Sequence, residues 1–103
     1  MTVQGSLIGD ILYLYLSGEI DSCGADKVRK ACDKLIESNI QAARIVFNME
    51  KVSFVDSAVI GFLMGRDKKA MSFNIPVYIQ NPPFGADKLL SLSGIYSIIP
   101  KTR

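Results

Sequence analysis

Residues 52–66 constrain the fold more than any other part of the chain, because they predict a strand, a short polar loop and a helix in direct succession. β-Branched and aromatic side chains favour a strand up to Val55, and a helix-length apolar segment begins directly after Asp56 and Ser57. The first N–H groups of a helix have no backbone partner and carry the positive end of its dipole. Ser57 is therefore a position where an oxygen or a phosphate group is well received. The more ordinary alternative is that Asp56 or Ser57 caps the helix.

The first two turns of this helix are non-polar on nearly every side. A surface helix with a single core-facing stripe does not have this pattern, so the helix is either buried on several sides or presented in part to a partner. A glycine inside a helix lowers the stability of the helix by about 1 kcal/mol relative to alanine. Gly61 and Gly65 therefore predict that this helix comes close to another backbone. At 100° per residue, the helix has three faces: Val59, Leu63 and Ala70; Ile60, Met64 and Met71; and Ser57, Gly61 and Gly65.

The composition indicates one globular domain over residues 1–103. Hydrophobic residues make up 49% of the chain and charged residues 21%, as in an ordinary folded protein. Basic and acidic residues are interleaved and leave a net charge of +2. We therefore expect the charged runs 26–30 and 66–69 to lie on solvated helix surfaces, and we expect no nucleic-acid partner.

No apolar run approaches the roughly 20 residues that span a bilayer, and residues 1–6 do not resemble a signal peptide. We therefore expect a cytoplasmic protein without a membrane partner.

The chain is poorly equipped for catalysis. It contains no histidine, which excludes Ser-His-Asp and Cys-His arrangements and leaves Cys23 and Cys32 too few for a zinc site. If the two cysteines share one helix, roughly 13 Å separates them along its axis, which is beyond disulfide reach. We expect both to be reduced and to act as small apolar packing groups. The sequence thus predicts a protein with no catalytic residue, no metal and no cofactor.

Strands and helices alternate along the predicted chain. This alternation implies crossover connections and hence an α/β fold, with a mostly parallel sheet of four or five strands, an N-terminal hairpin and three to four helices. The unbroken apolar run of the second strand predicts burial on both of its faces, and Asp21 or Ser22 is expected to cap the helix that follows. Strands are predicted at 3–7, 11–16, 44–49, 52–55 and 75–80, helices at 24–38, from Ser57 to about 72 and at 84–93, and an edge strand or tail at 95–99.

Several motifs distributed over nearly the whole chain resemble the STAS domain of bacterial anti-sigma factor antagonists. Residues 16–21 match the family motif L-x-G-E-L-D, and residues 47–57 match L-N-L-x-x-V-x-F-M-D-S. Ile60 and Gly61 retain the L-G pair that follows, and residues 92–95 resemble the late x-S-G-L element. The resemblance implies a STAS-type fold.

The resemblance also implies control by phosphorylation. In this family the unphosphorylated antagonist binds an ATP-dependent serine kinase that is also the anti-sigma factor, so that the sigma factor is freed. The kinase then phosphorylates a loop serine and breaks the complex, and a phosphatase restores the antagonist. Ser57 is the corresponding serine here, and we expect a monomer. The implied partner surface consists of Asp21, Ser22, Asp56, Ser57, Ala58, Ile60, Gly61 and Met64.

The residues after Ser57 depart from the family motif, which continues with serine, threonine or alanine and then Gly-Leu-Gly. Ala58 removes the second hydroxyl that carries the phosphate in some members, so only Ser57 can serve. Val59 replaces a glycine and is expected to add bulk where a kinase must approach. An alternative is therefore a STAS module that is not phosphorylated and binds a nucleotide, a lipid-like ligand or a scaffold complex. An enzyme with Ser57 as nucleophile would lack a histidine or a suitably spaced lysine to activate the hydroxyl.

Overall fold

The structure, a computed structural model, describes all residues from Met1 to Arg103. Its five strands form one sheet in the order β1-β2-β3-β4-β5, with β1 antiparallel to β2 and all other neighbours parallel. The predicted mostly parallel α/β sheet with an N-terminal hairpin is therefore confirmed. The elements are β1 (Thr2–Ile8), β2 (Ile11–Ile20), α1 (Ser22–Glu37), β3 (Arg44–Val55), α2 (Ala58–Met71), β4 (Val77–Gln80), α3 (Phe84–Ser93), a 3₁₀ turn (Ile95–Ser97) and β5 (Lys101–Thr102).

The hydrophobic core lies on one face of the sheet only. Leu14 of β2, Phe47 of β3 and Ile79 of β4 are neighbours across the sheet, and all three belong to the core together with buried residues of the three helices. On the opposite face Tyr15 is 37% exposed and its ring stacks on that of Tyr13. The prediction that β2 is buried on both faces is therefore wrong. Right-handed crossovers between strands in sequential order place every helix on the same side.

Two predicted boundaries also differ from the structure. β3 continues without interruption through Glu50 and Lys51, where a break was expected, because β2 pairs with it from Arg44 to Val55 despite irregular register. The predicted edge strand or tail at 95–99 is a 3₁₀ turn, and the edge strand β5 comes later in the chain. Gly94 ends α3 in the left-handed conformation (φ 81°) that glycine commonly adopts directly after a helix.

Helices α1 and α2 pack against each other through a charged contact that the sequence did not predict. Arg66 of α2 is only 7% exposed, and its Nε atom lies 2.8 Å from Oδ1 of Asp33 in α1. Both atoms are buried with no other polar partner, so the two charges compensate each other. Cys32 is buried beside them, and burial raises the pKa of its thiol to about 12. The expected packing role thus holds for Cys32, whereas Cys23 is exposed.

Candidate functional site

The two predicted functional loops lie side by side at the carboxyl ends of β2 and β3. Ile20 and Val55, the last residues of these strands, are paired in the sheet. The N–H group of Asp56 also donates a hydrogen bond to the carbonyl of Ile20 (3.2 Å). The structure therefore brings Asp21 and Ser22 next to Asp56 and Ser57, as a common partner surface requires.

Aspartates, rather than serines, cap both helices at this edge. Oδ1 of Asp21 accepts a hydrogen bond from the N–H of Gly24 (2.7 Å), and Oδ1 of Asp56 accepts one from the N–H of Ala58 (2.8 Å). Ser57 occupies the N-cap position of α2 with helical backbone angles (φ −61°, ψ −17°), and its side chain makes no capping bond. Ser57 is exposed, so its hydroxyl is free at the positive end of a helix.

Asp56→Ala is expected to lower the free energy of unfolding by about 1 kcal/mol, because it removes the side-chain acceptor at the start of α2. Asp56→Asn is the matched control, since it retains an oxygen acceptor and is expected to cost only a few tenths of a kcal/mol. Urea denaturation of the three proteins measures both differences. Equal losses for the two variants would contradict a capping role for this side chain.

Helix α2 has one buried face and two faces that are open to different degrees. Val59 and Leu63 are fully buried, whereas Ile60 is only partly buried against the core and Met64 is 37% exposed. The expectation that Val59 adds bulk to the phosphorylation loop is therefore wrong, because its side chain lies in the core. Of the apolar side chains Ile60 and Met64 in the implied partner surface, Met64 is therefore open to solvent and Ile60 is partly covered.

The glycines of α2 face open space. A Cβ atom built on Gly61 or Gly65 would meet no atom within 4 Å, so the expected close approach to another backbone of this chain does not occur. Both glycines line a groove of about 370 Å³ between α1 and α2, which also includes Ser22 and Ala58. Because no side chain fills this side of the helix, the backbone of α2 is accessible directly beside Ser57.

Two exposed aromatic residues near the loops were missed by the sequence analysis. Phe54 is 55% exposed and Phe84, the first residue of α3, is 84% exposed. Phe54 belongs to an apolar strand run, which gave no indication of which side chains face outward. The buried residues of α3 are Ala86 and Leu90. Their spacing from Phe84 places Phe84 on a different side of the helix. This spacing could have predicted the exposure of Phe84 from the sequence.

The chemistry available at this edge is that of a free hydroxyl at a helix N-terminus. The hydroxyl of Ser57 can accept a phosphoryl group, whose negative charge the N-terminal N–H groups of α2 would favour. No group of three or more histidine, cysteine, aspartate or glutamate side chains is arranged to hold a metal ion. None of the helices combines the length and the apolar character needed to cross a membrane.

Comparison with known proteins identifies the family. The STAS domain family model matches residues 4–103, and this chain therefore belongs to the STAS domain family. An anti-sigma F factor antagonist from Paenibacillus polymyxa is 34% identical over 92 residues, which cover 87% of this chain and 76% of that protein. The resemblance to bacterial anti-sigma factor antagonists is thus confirmed.

Solved structures confirm the fold independently. The anti-sigma factor antagonist SpoIIAA in its unphosphorylated form superposes with a TM-score of 0.79 at 21% identity, covering 99% of this chain and 89% of that chain. The phosphorylated form of the Bacillus cell fate determinant SpoIIAA gives a TM-score of 0.70 at 21% identity, with coverages of 99% and 92%. At this identity the likeness establishes the STAS fold alone.

Proposed function

We propose that this protein is an anti-sigma factor antagonist that acts as a monomer and is inactivated by phosphorylation of Ser57. In its unmodified form it binds an anti-sigma factor serine kinase through the edge formed by the N-termini of α1 and α2. The kinase then phosphorylates Ser57 and releases the protein, and a phosphatase regenerates it. The relative from Paenibacillus polymyxa, which bears the name of an anti-sigma F factor antagonist, supports the role.

The free hydroxyl of Ser57 is the observation that carries the proposal. Because Asp56 satisfies the N–H of Ala58, Ser57 can be modified without loss of a helix cap. Ser57 is exposed, and the neighbouring Gly61 offers no side chain that would obstruct an approaching kinase. A residue whose hydroxyl is not needed for folding is suited to reversible modification.

A phosphate on Ser57 would change the partner surface more than the fold. It adds a charge of about −1.5 to −2 at pH 7, which the N-terminus of α2 accommodates. The same charge lies beside the carboxylates of Asp56 and Asp21, and burying it under a partner would require its desolvation. Docking is therefore weakened while the domain stays folded. The two solved forms of SpoIIAA, phosphorylated and unphosphorylated, are consistent with a STAS fold that tolerates the modification.

The alternative of a STAS module that is not phosphorylated has lost part of its support. It was favoured by the bulk expected of Val59, and this side chain is fully buried in the core. The absence of a hydroxyl at Ala58 does not affect Ser57 itself.

Release of a sigma factor tests the proposed role directly. Each anti-sigma factor kinase of the organism that encodes this protein is first bound to its sigma factor. This protein is then added, and the free sigma factor is measured by size-exclusion chromatography. We expect one of the complexes to dissociate near equimolar antagonist. Failure of every complex to release its sigma factor would contradict the proposal.

Gly61→Gln examines the docking surface in the same assay. The added side chain meets no atom of this chain, and replacement of a helical glycine is expected to raise the free energy of unfolding by about 0.5–1 kcal/mol. We nevertheless expect sigma release to require at least about tenfold more protein, because the side chain would stand between α2 and its partner. Met71→Gln, at an exposed position on the last turn of the same helix, is the control and should release as the wild type does. Equal release by both variants would exclude this face of α2.

A further inference from the structure

One edge of β3 is open beside the Ser57 loop. β3 extends from Arg44 to Val55, but β4 pairs only with its residues from Ile45 to Asn48. After Gln80 the chain turns away at Asn81, whose φ is +53°, and enters a turn containing two prolines. No residue of β3 after Asn48 has a pairing partner in β4. Backbone groups of β3 that face this side are therefore available to another strand.

A groove of about 290 Å³ runs along this open edge. Residues 52–55 of β3 form one wall, and Pro83, Gly85 and Ala86 at the start of α3 form the other. None of these residues is charged. The groove lies beside the part of β3 that β4 does not pair with, and its uncharged lining favours apolar side chains.

Two aromatic residues at or next to this groove are exposed to solvent. Phe54 lies in the strand wall and is 55% exposed. Phe84 does not line the groove itself, but it lies between Pro83 and Gly85, which do, and it is 84% exposed. Aromatic residues, phenylalanine included, are enriched in protein–protein interfaces relative to the rest of the surface. The groove thus combines an unpaired strand edge with two exposed aromatic residues at or next to it.

We propose that this groove receives an extended apolar segment of the anti-sigma factor kinase, which pairs with the open edge of β3 and packs against Phe54 and Phe84. The inference rests on the proposed function, since it takes the kinase as the partner. Val55, the last residue of β3, lines the groove and is followed directly by Asp56 and Ser57. A partner bound at Ser57 is therefore next to the groove, and pairing with β3 would add main-chain hydrogen bonds to its contacts.

The double variant Phe54→Ala/Phe84→Ala tests the anchors. Its Kd for the kinase that binds the wild-type protein, measured by titration calorimetry with ADP present, is expected to rise at least about tenfold. Leu92→Ala is the matched control, because Leu92 is 80% exposed on α3 and neither it nor its neighbours in the chain line the groove; its Kd should stay within about twofold of the wild type. Thermal unfolding of both variants verifies that they are folded. An unchanged Kd for the double variant would overturn the inference.

Hydrogen exchange tests the strand pairing itself. Amides of residues 53–55 that exchange in the free protein are expected to be protected when the kinase is bound, because a new strand would accept their hydrogen bonds. Unchanged exchange in these residues, together with protection at Ser57 and Gly61, would overturn the inference and leave the proposed function intact. Failure of the wild-type protein to bind any kinase would instead contradict the proposed function. A concentration-dependent dimer that protects the same amides without kinase would assign the groove to a second copy and also overturn the inference.

Discussion

Ser57→Asp is expected to weaken binding to the anti-sigma factor kinase at least about tenfold and to leave the protein as stable as the wild type. The variant places a carboxylate at the N-terminus of α2, where a negative charge is favourable, and it removes no hydrogen bond, since the hydroxyl of Ser57 makes none as a cap. The free energy of unfolding should therefore change by less than about 0.5 kcal/mol. The affinity for the kinase decreases because the new charge lies beside Asp56 in a surface that must be desolvated when the partner binds.

Ser91→Asp is the control for the added charge. It introduces the same side chain at an exposed position on α3, away from both loops, and its Kd is expected to stay within about twofold of the wild type, because salt screens an exposed charge outside the contact surface. Ser57→Ala should bind as the wild type does, because the unmodified hydroxyl is not needed for docking. Wild-type affinity in Ser57→Asp would contradict control by charge at this position.

Arg66→Ala is expected to have the largest effect on stability, a loss of about 2–3 kcal/mol in the free energy of unfolding. Removal of one member of a buried ion pair leaves the other charge without compensation, which typically costs about 3–5 kcal/mol. The side chain of Asp33 is 28% exposed, so water can recover part of that cost. The variant also removes the contact of the guanidinium group with the ring of Phe62, 5.3 Å away.

The ion pair between Lys69 and Glu37 is the internal control, because it joins the same two helices near the surface. Lys69→Ala is expected to cost less than about 1 kcal/mol, as exposed pairs do. Urea denaturation of the wild type and the two variants measures the comparison. Equal losses would contradict the assignment of Arg66 to the interface of α1 and α2, since the sequence alone predicts both residues on a solvated surface.

The order of elements and the location of the special loop could be predicted from the sequence because they depend on local signals. Hydrophobic periodicity marks α1, the Gly9 turn marks the hairpin, and Gly94 marks the end of α3 at its observed residue. The juxtaposition of the two loops follows from the same signals, since parallel neighbouring strands end at the same edge of the sheet.

Features that depend on contacts between elements could not be predicted from local sequence signals. An apolar run such as that of β2 fits a strand covered on both faces and also one whose tyrosines form a half-open face. Arg66 lies in a charged run of the kind usually found in water, and only the approach of Asp33 from another helix explains its burial. The glycines of α2 predict a small-residue face, but they do not say whether this chain or another molecule covers it.

The sequence also could not predict which of Asp56 and Ser57 caps the helix and which keeps a free side chain. Both residues are common caps, and only the bond from the N–H of Ala58 to Asp56 leaves the serine hydroxyl free. The exposure of Phe54, which is 55%, likewise could not be predicted from its apolar strand run.

The intact mass of the protein after incubation with ATP and the kinase that binds it tests the central claim most directly. Fragmentation then locates any added phosphate. The account predicts one phosphate on Ser57 and none on Ser57→Ala. A kinase that binds the protein tightly but adds no phosphate, or adds it to another residue such as Ser22 or Ser53, would contradict the account.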